Sequence, residues 1–208
     1  MRKFLLCLIV ASLAVPAFAE TLRQSYEISG AGGMTGSAEL EVEYQESGNK
    51  IVRLDMRMSR PGTPAVSVRQ ESTYAPDGRP VRMLQTIGSD AAAQKRTVQA
   101  TFESRGAVVV ASDGGSRVER IVAYPGTQSI LAKHEFWFPG EAPEPGTEEM
   151  HYRFDLTQLR WTMTKVTYEG PNDEGHHRLK QGDSVILLDD QGLPVRFELG
   201  QLVLERTE

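Results

Sequence analysis

The sequence predicts a mainly β protein, built as a single antiparallel and strongly curved sheet or incomplete barrel with one short covering helix. Three observations lead to this fold class. Apolar and polar residues alternate with a period of two in runs from residue 38 to the C-terminus, as they do on strands with one buried face. Asp-Gly and Gly-Gly pairs between these runs supply the positive φ that tight hairpin turns need. Roughly ten or more such runs recur at the spacing typical of sandwiches and barrels.

The clearest pair of strands flanks the turn at Ser47-Gly48-Asn49. Residues 38–44 place apolar side chains at even positions and Glu at odd positions, and residues 52–58 repeat the pattern with basic residues prominent at odd positions. A hairpin centred on Gly48 would set Tyr44 opposite Val52 and Glu43 opposite Arg53. Opposite charges that face each other across strands stabilise a sheet. We therefore expect one apolar face and one charged face on this hairpin.

The first nineteen residues are interpreted as a secretory signal peptide. Arg2 and Lys3 form a charged n-region, residues 4–15 form an apolar run, and residues 17–19 (Ala-Phe-Ala) form a small-x-small cleavage site. The run is shorter than the about 20 residues that span a bilayer. Cys7 lies inside the apolar run and not at the cleavage point, which argues against a lipid-anchored protein. We expect cleavage near Ala19 and a periplasmic or secreted chain, residues 20–208, that forms one antiparallel β-domain and does not span the membrane.

Charge and cysteine content narrow the class of protein further. Without Arg2 and Lys3 the chain carries 21 basic residues against 28 acidic residues, whereas a nucleic-acid-binding protein would show a basic stripe. The mature chain contains no cysteine, so disulfide bonds cannot stabilise it, and a hydrophobic core must do so instead. We expect no nucleic-acid partner.

Residues 127–138 interrupt the alternating pattern. Ile130, His134 and Trp137 recur at helical intervals, and Pro139-Gly140 supplies an end signal. This segment is predicted to form the short covering helix.

The segments 77–83 and 191–197 share the frame G-x-P-V-R followed by an apolar residue, which indicates two equivalent hairpins. The chain also has a strand start at Tyr26, the predicted helix before residues 144–147, and a terminal hairpin over residues 187–194. In this layout it resembles secreted bacterial domains of unknown function related to the periplasmic lipoprotein carriers (LolA/LolB-like). The resemblance implies an incomplete barrel whose concave side is covered by helices and holds acyl chains in the best-studied members. No binding residue of that family can be transferred to a numbered position here.

The sequence contains no recognisable catalytic or cofactor motif. Residues 30–36 are rich in glycine but lack the G-x-G-x-x-G spacing and precede an alternating strand, so a hairpin loop explains them better than a nucleotide site. No G-x-S-x-G elbow is present, and no H-E-x-x-H metal motif is present. The histidines are interpreted as surface residues near polar loops: His134, His151, His176 and His177. We therefore expect no catalytic residue, no cofactor and no metal.

The apolar residues are more informative about function. Five methionines fall in predicted strands, where β-branched residues are usual, and methionine is frequent on adaptable apolar binding surfaces. Together with the aromatic residues of the predicted helix they are candidates for the wall or lid of an apolar ligand site: Met56, Met58, Met83, Phe136, Trp137, Phe138, Met150 and Met163. Alternatively, the methionines fill the core and the aromatic side chains close the barrel.

Two functions are compatible with these features. The first is a non-catalytic exported β-domain that carries or senses a lipid or another apolar small molecule on the concave face of its sheet. The second is an envelope module that binds a protein through exposed sheet edges or its acidic face and holds no small ligand. An apolar cavity would favour the first function, and an exposed apolar edge would favour the second.

Overall fold

The computed structural model describes residues 20–91, 95–125 and 141–207. These residues form strands and turns, and no helix occurs among them. The strands are β1 (Glu20–Gly30), β2 (Met34–Tyr44), β3 (Lys50–Ser59), β4 (Val66–Tyr74), β5 (Pro80–Ser89), β6 (Arg96–Glu103), β7 (Gly106–Asp113), β8 (Ser116–Ala123), β9 (Glu148–Asp155), β10 (Arg160–Pro171), β11 (His177–Gln181), β12 (Ser184–Leu188), β13 (Pro194–Leu199) and β14 (Leu202–Arg206).

All of these strands belong to one antiparallel sheet. Each strand pairs with its neighbour in sequence except at the step from β8 to β9, and β1 pairs with β14 to join the N-terminal and C-terminal halves. The spatial order is therefore β8-β7-β6-β5-β4-β3-β2-β1-β14-β13-β12-β11-β10-β9. Among the described residues β8 and β9 are the two edges, and the sheet is not closed into a barrel.

The sheet is strongly curved, as the sequence predicted. The ring of Phe102 on β6 lies 5.7 Å from that of Phe154 on β9 and 5.6 Å from that of Trp161 on β10. β6 and β9 are eleven positions apart in the sheet, a distance of roughly 50 Å in a flat sheet with strands about 4.8 Å apart. Arg120 on β8 also donates a hydrogen bond of 2.6 Å to the backbone carbonyl of Leu159. The two ends of the sheet therefore meet through side chains.

The alternating pattern places the core on one face of the sheet. On β2 the even-numbered side chains Ala38, Leu40 and Val42 are buried, whereas the Glu side chains between them lie on the other face. The same rule holds across the sheet, whose buried hydrophobic residues include Tyr26, Ile28, Val52, Val98, Ala100, Val109, Leu179, Ile186, Leu188 and Leu204. The concave face is thus the apolar one.

The register of the β2–β3 hairpin differs from the prediction by two residues. Val52 pairs with Val42 and not with Tyr44, and Arg53 pairs with Glu41 and not with Glu43. The reason is the turn, which spans residues 45–49 and is centred on Ser47. A shift of two residues leaves every side chain on its expected face, so the apolar row and the charged row both remain.

Four hairpins share this five-residue turn, which occupies residues 45–49, 75–79, 172–176 and 189–193. In each, the amide of the fourth residue, a glycine, donates to the carbonyl of the first residue, and the amide of the first residue donates to the carbonyl of the fifth. The four glycines have φ between +74° and +86°, a conformation that favours glycine. Two of these turns contain the repeated G-x-P-V-R frame, so the prediction of equivalent hairpins is confirmed. The predicted helix over residues 127–138 lies outside the described residues.

On the convex face, Arg53 is surrounded by carboxylates from both neighbouring strands. Its guanidinium contacts Glu41 at 2.5 Å, Glu43 at 2.8 Å and Glu71 at 3.0 Å. Hydrogen bonds from Arg53 hold the pKa values of the Glu41 and Glu43 carboxyls below the ordinary value of 4.5. Ionised Glu41 and Glu43 therefore stabilise the fold above pH 4.5, and this stabilisation is lost as the pH falls below that value.

Replacing Arg53 with Gln is expected to lower stability at pH 7 and to flatten its dependence on pH below 4.5. The substitution removes the cation that Glu41 and Glu43 share and leaves Glu41 with Arg23 alone, so protonating these two carboxylates costs less favourable interaction. Urea denaturation at pH 7 and at pH 3.5 measures the effect. Arg82→Gln is the matched control because Arg82 donates to the neutral amide oxygen of Gln99. An equal acid response in both variants would contradict this account of the cluster.

Candidate ligand cavity

The concave side of the sheet contains an apolar cavity of about 170 Å³. Its floor comes from five adjacent strands, β3, β2, β1, β14 and β13, and Arg153 on β9 contributes to the wall from the far edge of the sheet. The floor residues share an apolar or aromatic side chain on the concave face: Tyr26, Leu40, Val52, Leu54, Met56, Phe197, Leu199 and Leu204.

Strand pairing explains why these side chains meet. Leu40 on β2 is directly opposite Leu54 on β3, and Phe197 on β13 is directly opposite Leu204 on β14. Residues that face each other across antiparallel strands project from the same side of the sheet. Arg153 joins them because the curvature brings β9 over the concave face. The cavity thus forms because alternation places apolar side chains on one face of the sheet and curvature brings β9 over that face.

The wall residues of the cavity differ in burial. Tyr26, Leu40, Val52 and Leu204 are buried. Leu199, the last residue of β13, is 46% exposed. A ligand that entered past Leu199 would move from solvent onto progressively drier apolar surface, and burial of its own apolar area would favour binding.

Tyr26 is fixed at the base of the cavity. Its Oη donates a hydrogen bond of 2.8 Å to the backbone carbonyl of Pro194. Burial raises the pKa of the Tyr26 phenol above its ordinary value, so the side chain is neutral at physiological pH. Nearby, Arg206 and Asp189 form an ion pair at 2.5 Å, and Asp189 accepts a hydrogen bond of 2.9 Å from the backbone amide of Leu193. The base of the cavity is therefore held by the β12–β13 turn.

A polar pair adjoins the cavity floor on the side of β4 and β5. Leu54 faces Gln70 across β3 and β4, and Gln70 faces Gln85 across β4 and β5. The Gln85 amide donates to the Gln70 side-chain oxygen at 3.2 Å. Gln85 Oε1 is buried and has no hydrogen-bond partner among the described residues. A buried acceptor of this kind is costly.

The methionines predicted for the wall are distributed over different surroundings. Met56 lines the cavity. Met58 is partly buried and packs against the core, and Met83 is buried in the core. Met150 and Met163 are 49% and 56% exposed.

Met150 and Met163 do not line this cavity. The pairing of β9 with β10 places Met163 opposite Tyr152 and Met150 opposite Lys165. The two methionines thus alternate with Arg153 and His151 and project from the other side of the hairpin. The remaining predicted residues, Phe136, Trp137 and Phe138, lie outside the described residues.

Sequence reasoning missed most of the residues that form the cavity. Leu40 on β2 and Leu54 on β3 could have been predicted from the sequence, since they belong to the same alternating apolar rows as Met56. Arg153 had no such signal. Its place in the wall depends on curvature that brings together strands distant in the sheet.

The histidines differ from the expectation of surface residues. His151 is buried, with Nε2 3.7 Å from the Glu149 carboxylate. His177 is partly buried, and its Nδ1 lies 2.8 Å from Tyr168 Oη. His176 is partly buried as well, whereas His134 lies outside the described residues. Within the described part of the chain no three His, Cys, Asp or Glu side chains form a group that could hold a metal ion.

Comparison with known proteins reveals two similar solved structures. One is a β-barrel-like protein of the domain of unknown function DUF1849 from Brucella abortus, 16% identical, with a TM-score of 0.49 over 89% of this chain and 95% of that chain. The other is a DUF1089 family protein from Pseudomonas aeruginosa, 14% identical, with a TM-score of 0.41 over 97% of this chain and 98% of that chain. Neither is described as a lipoprotein carrier.

No protein-family model matches the chain, and no curated protein matches its sequence. Among the described residues there is also no helix of the length and hydropathy that a membrane span requires.

Proposed function

We propose that this protein is a non-catalytic exported carrier or sensor that binds the apolar part of a small amphiphile in the concave face of its sheet. The observation that supports this function is the cavity itself. Eight of its nine wall residues have apolar or aromatic side chains, and one of them, Leu199, is 46% exposed. Binding sites for small molecules commonly have such walls with few polar groups.

The volume of the cavity defines the ligand more narrowly. Apolar cavities of about 150 Å³ in other proteins stay dry and bind molecules of the size of benzene. A cavity of about 170 Å³ therefore suits the end of an acyl chain or an apolar ring, with the remainder of the ligand near the mouth. Each methylene group buried would contribute about 0.8 kcal/mol.

The cation in the wall favours an acidic amphiphile. Arg153 carries a guanidinium group, which forms strong paired hydrogen bonds with carboxylates and phosphates. A fatty acid or a lipid phosphate would place its chain against Leu54 and Phe197 and its head group toward Arg153. The resemblance to the LolA/LolB-like carriers implies the same class of ligand.

Export and the lack of a catalytic role are part of the proposal. The predicted cleavage after Ala19 would begin the mature chain at Glu20, the first residue of β1. The wall residues described above include no nucleophile activated by a neighbouring base, and the Tyr26 phenol is buried and neutral. N-terminal sequencing of the protein recovered from the periplasm or medium should give Glu20, whereas an uncleaved chain in the cytoplasm would contradict export.

Native mass spectrometry and a fluorescent acyl probe test the carrier function directly. Protein purified without detergent is expected to retain a bound amphiphile, and the delipidated protein to bind dansylated dodecanoic acid with micromolar affinity. A dansylated amine of equal chain length is the control, since it keeps the apolar tail and reverses the charge near Arg153. A protein that carries no lipid and fails to bind the acidic probe would overturn the proposal.

A second function, binding of another protein, is favoured by the edge strand β8. Val118 and Ile121 on this strand are 55% and 61% exposed. Apolar residues on an exposed edge strand are typical of strand-to-strand docking.

A further inference from the structure

The edge strand β8 is exposed over almost its whole length. Residues 116–121 are all exposed. On the neighbouring strand β7, by contrast, Ala107 and Val109 are almost completely buried. Exposure therefore rises sharply from β7 to β8. A strand of this kind presents a template for another strand.

Apolar groups occur on both faces of β8. Val118 pairs with Ala111 and Arg120 pairs with Val109, so Val118 and Arg120 belong to the concave face. Ile121 pairs with Val108 and belongs to the convex face together with Arg117 and Glu119. A partner strand added beside β8 would continue both faces and would cover Val118 and Ile121 at once.

A second copy of β8 fits this edge in one particular register. A two-fold axis perpendicular to the sheet places the concave face of one copy beside the concave face of the other. Such an axis lies between the two β8 strands, midway between one residue and the same residue of the second copy, and each register is named here by that residue. An axis at Arg117 or Arg120 sets two arginines together, and an axis at Glu119 sets two glutamates together. Like charges directly opposite each other destabilise a sheet.

Among axes at residues 117–121, two registers remain after the like-charge registers are excluded. An axis at Ile121 pairs Arg120 with Val122 and Glu119 with Ala123, so no opposite charges meet. An axis at Val118 pairs Val118 with its own copy and pairs Arg117 with Glu119 twice. Arg117 and Glu119 already lie 3.6 Å apart within one strand, and they would exchange partners across the two-fold axis. Charge complementarity therefore favours Val118.

We propose that two copies of this protein associate through antiparallel pairing of their β8 strands, with the two-fold axis at Val118. In this proposal the partner that binds the exposed edge of β8 is a second copy of the protein. Because the cavity is not involved, a monomeric protein would not contradict the carrier function. One strand pair buries less surface than the about 1,200 Å² of typical stable complexes. The dimer is therefore a reversible one whose population rises with protein concentration.

Single-cysteine variants test the register. The chain from Glu20 contains no cysteine, so each variant has one thiol. Under mild oxidation, Val118→Cys is expected to form a disulfide-linked dimer, whereas Glu119→Cys and Ile121→Cys stay largely monomeric. Val81→Cys, which is exposed on β5, is the control for random collision. Cross-linking of Val118→Cys at the rate of Val81→Cys would overturn the proposal, and preferential cross-linking at residue 119 or 121 would overturn the register.

Charge exchange gives an independent test in the cysteine-free protein. Arg117→Glu would set glutamates opposite each other twice and is expected to reduce dimerisation at least tenfold in analytical ultracentrifugation. Combining it with Glu119→Arg restores the opposite charges and should restore the dimer. Monomeric wild-type protein at all accessible concentrations, or failure of the double variant to recover, would contradict β8 self-pairing.

Discussion

Replacing Gly36 with alanine is expected to destabilise the protein by about 3 kcal/mol, at the upper end of the cost of overpacking. Gly36 lies on β2 opposite Met58 on β3. A Cβ atom at this position would lie 2.1 Å from the backbone oxygen of Arg57 and 3.0 Å from the Met58 Cα. Because the obstacle is backbone, relief requires β2 and β3 to separate where Gly36 also pairs with the buried residue Ile28. Thermal denaturation should show a decrease in Tm of about 6–12 °C for a domain of this size.

Gly88→Ala is the matched control for this effect. Gly88 is also a strand glycine without positive φ, but a Cβ atom there would meet the side chains of Ser67 and Lys95 at 3.2 Å and 3.5 Å. These side chains can rotate away, so the expected loss of stability is less than about 1 kcal/mol. If Gly36→Ala and Gly88→Ala destabilise the protein equally, the close approach of β2 and β3 at Gly36 is not a constraint on the fold.

Alternation and turn chemistry were sufficient to predict the class of fold. The even rows of residues 38–44 and 52–58 specify which side of β2 and β3 is buried, because a slip by one residue would expose the whole row. The glycine of each five-residue turn marks where a strand ends. The exact pairing was harder to predict, since centring the turn on Ser47 or on Gly48 changes the register by two and preserves both faces.

The period-two pattern alone could not predict which residues line the cavity. Alternation assigns a residue to a face, but the curvature of the sheet decides which distant strands approach each other. Arg153 reaches the cavity for this reason. The exposure of Met150 was not predicted because the pattern does not show which side of the β9–β10 hairpin faces solvent. The requirement for glycine at position 36 could not be predicted from the sequence either, because it is the close approach of the β3 backbone that leaves no room for a Cβ atom.

Replacing Leu54 with tryptophan is expected to weaken binding of the acyl probe about fiftyfold while preserving the fold. Leu54 is on β3, the floor strand nearest β4, where it pairs with Leu40 of the floor on one side and with Gln70 on the other. An indole at this position would occupy the space that the ligand uses. Exclusion of about three methylene groups, at about 0.8 kcal/mol each, accounts for a loss of this size. Fluorescence titration with dansylated dodecanoic acid measures the affinity.

The stability of the Leu54→Trp variant separates a filled cavity from a disrupted core. Overpacking of a filled core costs about 1–3 kcal/mol, whereas a side chain that grows into a cavity of about 170 Å³ should cost less. Val81→Trp introduces the same indole at an exposed position of β5 and should alter neither affinity nor Tm. Should Leu54→Trp fail to fold, Met56→Phe provides a smaller change in the same wall. A folded variant that binds the probe as tightly as the wild type would exclude the cavity as the ligand site, because the two cannot occupy one volume.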